Sequence, residues 1–272
     1  MKVTFIQPQP QLSLCIAAFW IFESSAGVPM TDSRIVVPDG RAKILIPYKN
    51  PLSVTVADSP FYAGEQQIFL TGIQNNPRTI CSPAADTGTI GVELTPKGLY
   101  RLFHLSMSEL TDRIYSFEDL FGAWGRRLQI LLGEIEEPAA KIAQLQIALT
   151  HLLYQNTNDF SVLDHAIEIM IRSHGMIRIQ ALASETGYSR RYLDMLFKEH
   201  VGLSPKSLAS ILRFQSIYQR WTQVNLRPFS KDSLYAHYYD QAHFIKEFKR
   251  FTGYTPQKYA ELGNAFGKAF YQ

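Results

Sequence analysis

Histidine and cysteine are scarce in this chain, and the scarcity excludes much. Two cysteines, Cys15 and Cys81, make neither a disulfide framework nor a thiolate cage for a metal. The expectation for both is a buried free thiol in a reducing cytoplasm. No histidine precedes His104, so the first hundred residues cannot supply imidazole ligands, and no metal or other cofactor is expected. No apolar run approaches the ~18–20 residues of a membrane span, so no membrane partner is expected. The opening MKVTFIQPQPQLSL lacks the basic-then-apolar order of a signal peptide. The serines have no nucleophile-elbow context, and no glycine-rich phosphate loop follows a strand-like run. Enzyme chemistry is therefore not expected.

The 272 residues allow one or two domains with a core of ordinary size. Lysine and arginine number 27 against 24 aspartate and glutamate, but the charge is uneven. Before Asp159 the balance is about −2, and from Asp159 onward about +5. Such asymmetry is expected when one domain meets phosphate and the other does not.

One stretch near the end is written twice. Ser189 to Leu208 reads SRRYLDMLFKEHVGLSPKSL, and Asp240 to Tyr259 reads DQAHFIKEFKRFTGYTPQKY. At a shift of about 51 residues, Phe197 lands on Phe248, Lys198 on Lys249, Gly202 on Gly253, Ser204 on Thr255 and Pro205 on Pro256. Leu193, Leu196 and Phe197, like Phe244, Phe248 and Phe251, are spaced for one apolar helix face. Each helix ends at a glycine that supplies the left-handed C-terminal conformation. Each following helix opens with Ser or Thr as N-cap and Pro at its first position. An amphipathic segment from Ile179 to Thr186, then Gly187-Tyr188 and the cap-like Ser189, completes a helix-turn-helix pattern.

With these residues the last hundred positions resemble the DNA-binding domain of the AraC/XylS family of bacterial transcription regulators. The resemblance implies an all-α domain over about 159–272, with helix-turn-helix units near 178–203 and 230–262 joined by a linker helix over about 204–221. It implies two recognition helices in successive major grooves. The base-facing positions would be Arg190, Arg191, Asp194 and Met195 in the first helix, and Gln241, Ala242, His243 and Lys246 in the second. Arginine forks onto guanine, an acid accepts from cytosine, and Gln pairs with adenine. Lys198, Lys249 and Arg250 are expected to hold backbone phosphates. The sequence departs from the family at Leu234, where a small Ala is usual, and at Tyr238, where the turn usually has Gly. That departure predicts a second unit set at an unusual angle or more mobile than the first.

The front of the chain reads as short β runs divided by Pro, Gly and Asn turns up to about Leu94. Ser13 to Phe22 suits a short helix or a strand. RIVV and RAKILIPY around Pro38-Asp39-Gly40 predict a hairpin, and SVTVA, QQIFLTGI and TIGVEL further strands of an antiparallel sandwich or barrel. After Thr95-Pro96, a capped start, the texture turns helical over about 97–156. Asn156 to Asp159 is the linker candidate, closing a first domain of about 1–157.

Phe19-Trp20, the VVPDGR stretch, GVELTPKGLYRLF and LTDRIYSFEDLFG also resemble the N-terminal sensory domain of one subset of AraC-type regulators. That resemblance implies a cupin-like β domain followed by helices, an α+β chain overall. A metal-binding cupin would need histidines that are not there. Asp39, Arg41 and Glu93 with Trp20 and Tyr62 form a candidate small-molecule site, although Asp39 is also an ordinary turn former and Trp20 ordinary core. The expectation is a cytoplasmic sequence-specific regulator, double-stranded DNA its partner, with a small-molecule effector and a homodimer as candidates. RNA polymerase joins them if it is an activator. The alternatives are an enzyme or a ligand-free interaction module tethered to DNA.

Overall fold

A computed structural model of the chain describes residues 1–28, 35–56, 59–82, 86–103, 105–156, 158–223, 238, 241–262 and 270. The chain is α+β, an antiparallel two-sheet sandwich followed by helices. The larger sheet holds β1 (Lys2–Ile6), β2 (Ile16–Ser24), β4 (Lys43–Lys49), β7 (Phe69–Thr71), β9 (Thr87–Leu94) and β10 (Ile114–Ser116) in the order β1-β2-β9-β4-β7-β10. The smaller holds β3 (Ile35–Val36), β5 (Leu52–Val56), β6 (Ser59–Ala63) and β8 (Arg78–Cys81) in the order β3-β8-β5-β6. Ser13 to Phe22 resolves into the end of a turn and a strand: a 3-10 turn over Pro10–Leu12 precedes β2.

The Pro38-Asp39-Gly40 turn does not close a hairpin. Ile35 and Val36 pair with β8 in the smaller sheet, while Lys43 to Lys49 pair with β9 and β7 in the larger. The loop carries the chain from one sheet to the other. Its tip is buried against a helix of the C-terminal half: Gln215 Nε2 donates to Pro38 O at 2.6 Å. A side chain on Gly40, at φ 74°, would stand 3.2 Å from Leu208 Cδ1. A local turn motif thus serves a long-range contact.

The helices follow in chain order: α1 (Gly98–Leu102), α2 (Met107–Leu110), α3 (Phe117–Gly133), α4 (Pro138–Gln155), α5 (Ser161–Arg172), α6 (Ile179–Thr186), α7 (Arg190–His200), α8 (Pro205–Gln223), α9 (Gln241–Thr252) and α10 (Pro256–Leu262). Ser116 caps α3, accepting from Asp119 N at 3.0 Å, and α3 is broken at Gly122. The Thr95-Pro96 start is not a side-chain cap: α1 begins at Gly98, and Thr95 Oγ1 donates instead to Leu14 O at 2.7 Å. Cys15 is buried as expected but Cys81 only half-buried, both as free thiols.

One continuous core joins the helix-facing side of the larger sheet to the C-terminal half, running from Phe19, Ile44 and Val92 through Leu145 and Ile167 to Phe214 and Phe248. Polar contacts reinforce it. Asp164 of α5 accepts from Tyr100 OH at 2.7 Å and from the Arg101 guanidinium, and Lys97 Nζ lies 2.6 Å from Glu168. The linker candidate is tied back as well, since Asn156 Nδ2 donates to the carbonyls of Tyr100 and Arg101.

Candidate nucleic-acid interface

The first unit is built as its sequence dictates. Gly187 ends α6 in the left-handed region at φ 74°, and Ser189 caps α7 by accepting from Tyr192 N at 3.2 Å. Leu193 and Phe197 are fully buried, which turns Arg190, Arg191, Met195 and Lys198 to solvent. Asp194 is half-buried and pairs with Lys198 Nζ at 2.8 Å, one helical turn on. The exposed rings of Tyr188 and Tyr192 stack 5.0 Å apart beside this surface. Sequence reading passed over that pair, although two tyrosines flanking a recognition-helix cap were visible to it.

Gly202, at φ 85°, stops α7 against the front domain. Its carbonyl accepts from Thr111 Oγ1 at 2.7 Å, and a Cβ there would stand 2.5 Å from Met107 O. Ser204 Oγ then caps α8 by accepting from Ser207 N at 3.1 Å. The helix between the two units runs 19 residues, about 28 Å at 1.5 Å per residue, against ~34 Å for one turn of DNA.

In the second unit Phe244, Phe248 and Phe251 are buried, so α9 presents Gln241, Ala242, His243, Lys246, Lys249 and Arg250 outward. Glu247 is buried and takes two hydrogen bonds from Arg213 of α8, at 2.9 and 3.2 Å. The Arg213 guanidinium also lies over the Tyr238 ring at 5.1 Å. Tyr238 is buried and packs its ring 5.3 Å from Phe244. Burial first, then the Glu247 carboxylate, pushes its phenol well above the usual range. This bulky residue therefore belongs to the packing of the second unit on α8. Leu234 lies outside the described residues. Arg250 Nη2 donates to Asn75 Oδ1 of the front domain at 2.8 Å, so one expected phosphate holder already has a protein partner.

The candidate small-molecule residues divide between two spaces. Trp20 and Glu93 line a cavity of about 70 Å³ between the two sheets. Asp39, Arg41 and Glu93 line a second space of about 220 Å³, between the sandwich and α8, with His174 and Gln215 on its other wall. Arg41 pairs with Glu93, and Asp39 with Lys43, each at 2.5 Å. Tyr62 lines neither space; it sits on β6, 73% exposed. The structure adds Arg78 and Gln74, both buried on the inner cavity wall. Strand alternation in Arg78-Thr79-Ile80, which puts the arginine on the same face as Ile80, was the available signal. Among the described residues, no group of three or more His, Cys, Asp or Glu side chains is placed to hold a metal ion, and no helix is long and apolar enough to cross a membrane.

Parts of the chain are similar to known proteins. Residues 182–261 match the family described as a helix-turn-helix domain, and residues 4–116 match a domain of unknown function, DUF6597. The F1 operon positive regulatory protein of Yersinia pestis is 34% identical over 85 residues, 30% of this chain and 27% of that protein. The match thus spans about a quarter of the curated relative. The crystal structure of ToxT from Vibrio cholerae in its P21 form superposes with a TM-score of 0.50 at 11% identity, covering 91% of this chain and 99% of ToxT. The likeness to ToxT is one of fold. The cupin domain of Cnp3 from Schizosaccharomyces pombe covers 35% of this chain and 66% of its own, at 14% identity and a TM-score of 0.27.

Proposed function

We propose that the chain is a sequence-specific DNA-binding regulator of the AraC type, a reading supported by the match of residues 182–261 to the helix-turn-helix domain family. The observation that carries the reading is the duplicated surface. Helices α7 and α9 each turn a row of basic and polar side chains outward from a buried phenylalanine face, with the 19-residue α8 between them in the chain. Arg190, Arg191, Asp194 and Met195, with Gln241, Ala242, His243 and Lys246, read base edges. Lys198 and Lys249 hold phosphates, and Arg250 does so once released from Asn75. The protein works in the cytoplasm and is not an enzyme. As a homodimer it would present four reading helices, and as an activator it would meet RNA polymerase.

The front domain senses a small molecule. Its signal reaches the readers through packing that both domains share. Gln74 lines the cavity, and its neighbour Asn75 holds Arg250 of α9. The loop at Pro38 and Gly40 rests on α8. A ligand that binds one arrangement of these contacts better than another biases a DNA-competent state.

Selection of genomic fragments by the full-length protein, at controlled salt, tests the reading. Two short conserved blocks about one helical turn apart are expected. One block would confine reading to α7 and leave α9 as a clamp. Fragments no richer than random DNA, at low salt and with the folded full-length chain, would sink the proposal.

A further inference from the structure

The cavity between the sheets holds a charge that the fold leaves unanswered. Arg78 opens β8 and points inward with Ile80, while Thr79 faces out. It is 4% exposed, and its Nε and Nη2 atoms are buried without a hydrogen-bond partner. The carboxylates whose charge it feels are engaged elsewhere. Asp112 accepts from the backbone N–H groups of Asn75 and Asn76 and from the Asn76 side chain. Asp39 accepts from Lys43 Nζ at 2.5 Å and from Arg41 N at 3.0 Å. Glu93, on the cavity wall, is paired with Arg41. Burial pulls the Arg78 guanidinium down from its ordinary value to about 10, which leaves it charged at neutral pH.

Two more donors line the same space with no acceptor, Gln74 Nε2 and Trp20 Nε1. Around them stand Val36, Leu45, Val54 and Ile80. A buried charge without a partner is strongly unfavourable, and orphaned buried donors are uncommon enough to call for an explanation. Three donor side chains without acceptors, on walls that are apolar apart from Lys43, Thr71 and the Arg41-paired Glu93, are complementary to an anion with a hydrocarbon body.

We propose that this cavity binds a short carboxylic acid. Its carboxylate lies on Arg78, with Gln74 and Trp20 as further donors, and its hydrocarbon part lies against Val36, Leu45, Val54 and Ile80. The space of about 70 Å³ compares with ~10–15 Å³ for one water on the same measure, so an acid of a few heavy atoms fits. The inference rests on the reading of the front domain as a small-molecule sensor and names the chemistry of its ligand.

The test is thermal melting of the full-length protein with straight-chain acids from propionate to hexanoate and with benzoate. Their neutral amides and inorganic phosphate run alongside at matched ionic strength. The expected result is a saturable rise of a few degrees with at least one acid and none with its amide. Arg78→Met should melt no lower than the parent, because it removes a charge without a partner, and should lose the response. If Arg78→Met fails to fold, the comparison of acid with amide on the parent protein still decides. Amides as effective as acids would overturn the carboxylate assignment and leave the small-molecule reading standing. Phosphate alone stabilising would overturn the organic part, and no response to any compound would overturn the site. None of these outcomes touches DNA binding, which the fragment selection measures without added acid.

Discussion

Along β4, Ile44 and Ile46 are 0% and 1% exposed on the side that meets the helices, whereas their neighbours Lys43 and Leu45 face the cavity and stay half-buried. The same division runs through the whole larger sheet. On β9, Ile90 and Val92 enter the core that continues into the DNA-binding half, while Glu93 faces the cavity. On β2, Phe19 belongs to that core and Trp20 to the cavity. One face is packed as a domain interior and binds the two halves into one body. The other turns Lys43, Thr71 and Glu93 toward the cavity, which Gln74 and, from the smaller sheet, Arg78 also line. A fold seeking stability alone would fill that second face with aliphatic side chains. Polar groups stand there instead, which is the observation behind the proposed ligand site.

Paired truncations on one strand would break this contrast if it is false. Ile44→Ala should cost about 2–5 kcal/mol, because it leaves a cavity in the shared core. Leu45→Ala, beside space that is already open, should cost less than about 1.5 kcal/mol. Urea denaturation of both variants measures the difference, and equal losses would mean that the two faces are packed alike.

The reader surface should behave in the opposite way to the core, changing binding while melting stays fixed. Arg191→Ala is expected to lose about 1–3 kcal/mol of DNA binding and relax preference at one base pair. Lys249→Ala should weaken all sequences similarly and lower the salt slope by about one. Titrations against the selected site and scrambled DNA at several salt concentrations would show whether one residue reads and the other holds.

The junction of the two halves can be probed by pH. Burial, then the hydrogen bond to Asp164, raises the Tyr100 phenol above its ordinary 10, and Tyr238 is raised by burial and Glu247. A phenol with a raised folded value keeps its proton where the unfolded chain releases it. Its stability is therefore complete below pH 10 and lost as pH climbs from there toward the folded value. Urea midpoints should hold between pH 8 and 9 and fall above 10, and Tyr100→Phe should flatten that fall. The smallest effect belongs to the surface tether. Asn75→Ala frees Arg250 and should tighten DNA binding about two- to fivefold, the scale of one solvent-exposed charged contact. A weaker complex would mean that the contact helps to place α9 for binding.

Much of the helical half was legible before any coordinates. The phenylalanine spacing, the caps Ser189 and Ser204 and the left-handed Gly187, Gly202 and Gly253 all stand where the repeat put them. The sandwich was legible in outline and misread in connection. Pro38-Asp39-Gly40 looks the same whether its flanking strands pair with each other or pass to different sheets, because the turn chemistry is local and the partners of β3 and β4 lie some forty residues away. Arg78 escaped notice for a related reason: an arginine opening a short strand reads as a solvent-facing residue until its inward neighbours are known. Tyr238 was expected as a burdened turn residue, and its ring proved to be part of the second unit's core.

The sequence alone determined the elements whose physics is short-range. A helix face needs only apolar residues three and four apart, a cap needs only a hydroxyl three residues ahead, and a left-handed helix end needs glycine. From these followed the first helix-turn-helix, the repeated helix α9 and the side chains that both turn outward. Only the tertiary structure decided which face of the sheet was fused to that domain, that Arg250 rests on Asn75, and that Arg78 stands buried with Nε and Nη2 lacking a hydrogen-bond partner. Burial and charge neutralisation depend on atoms far apart in the chain, and no local pattern records whether a partner arrives.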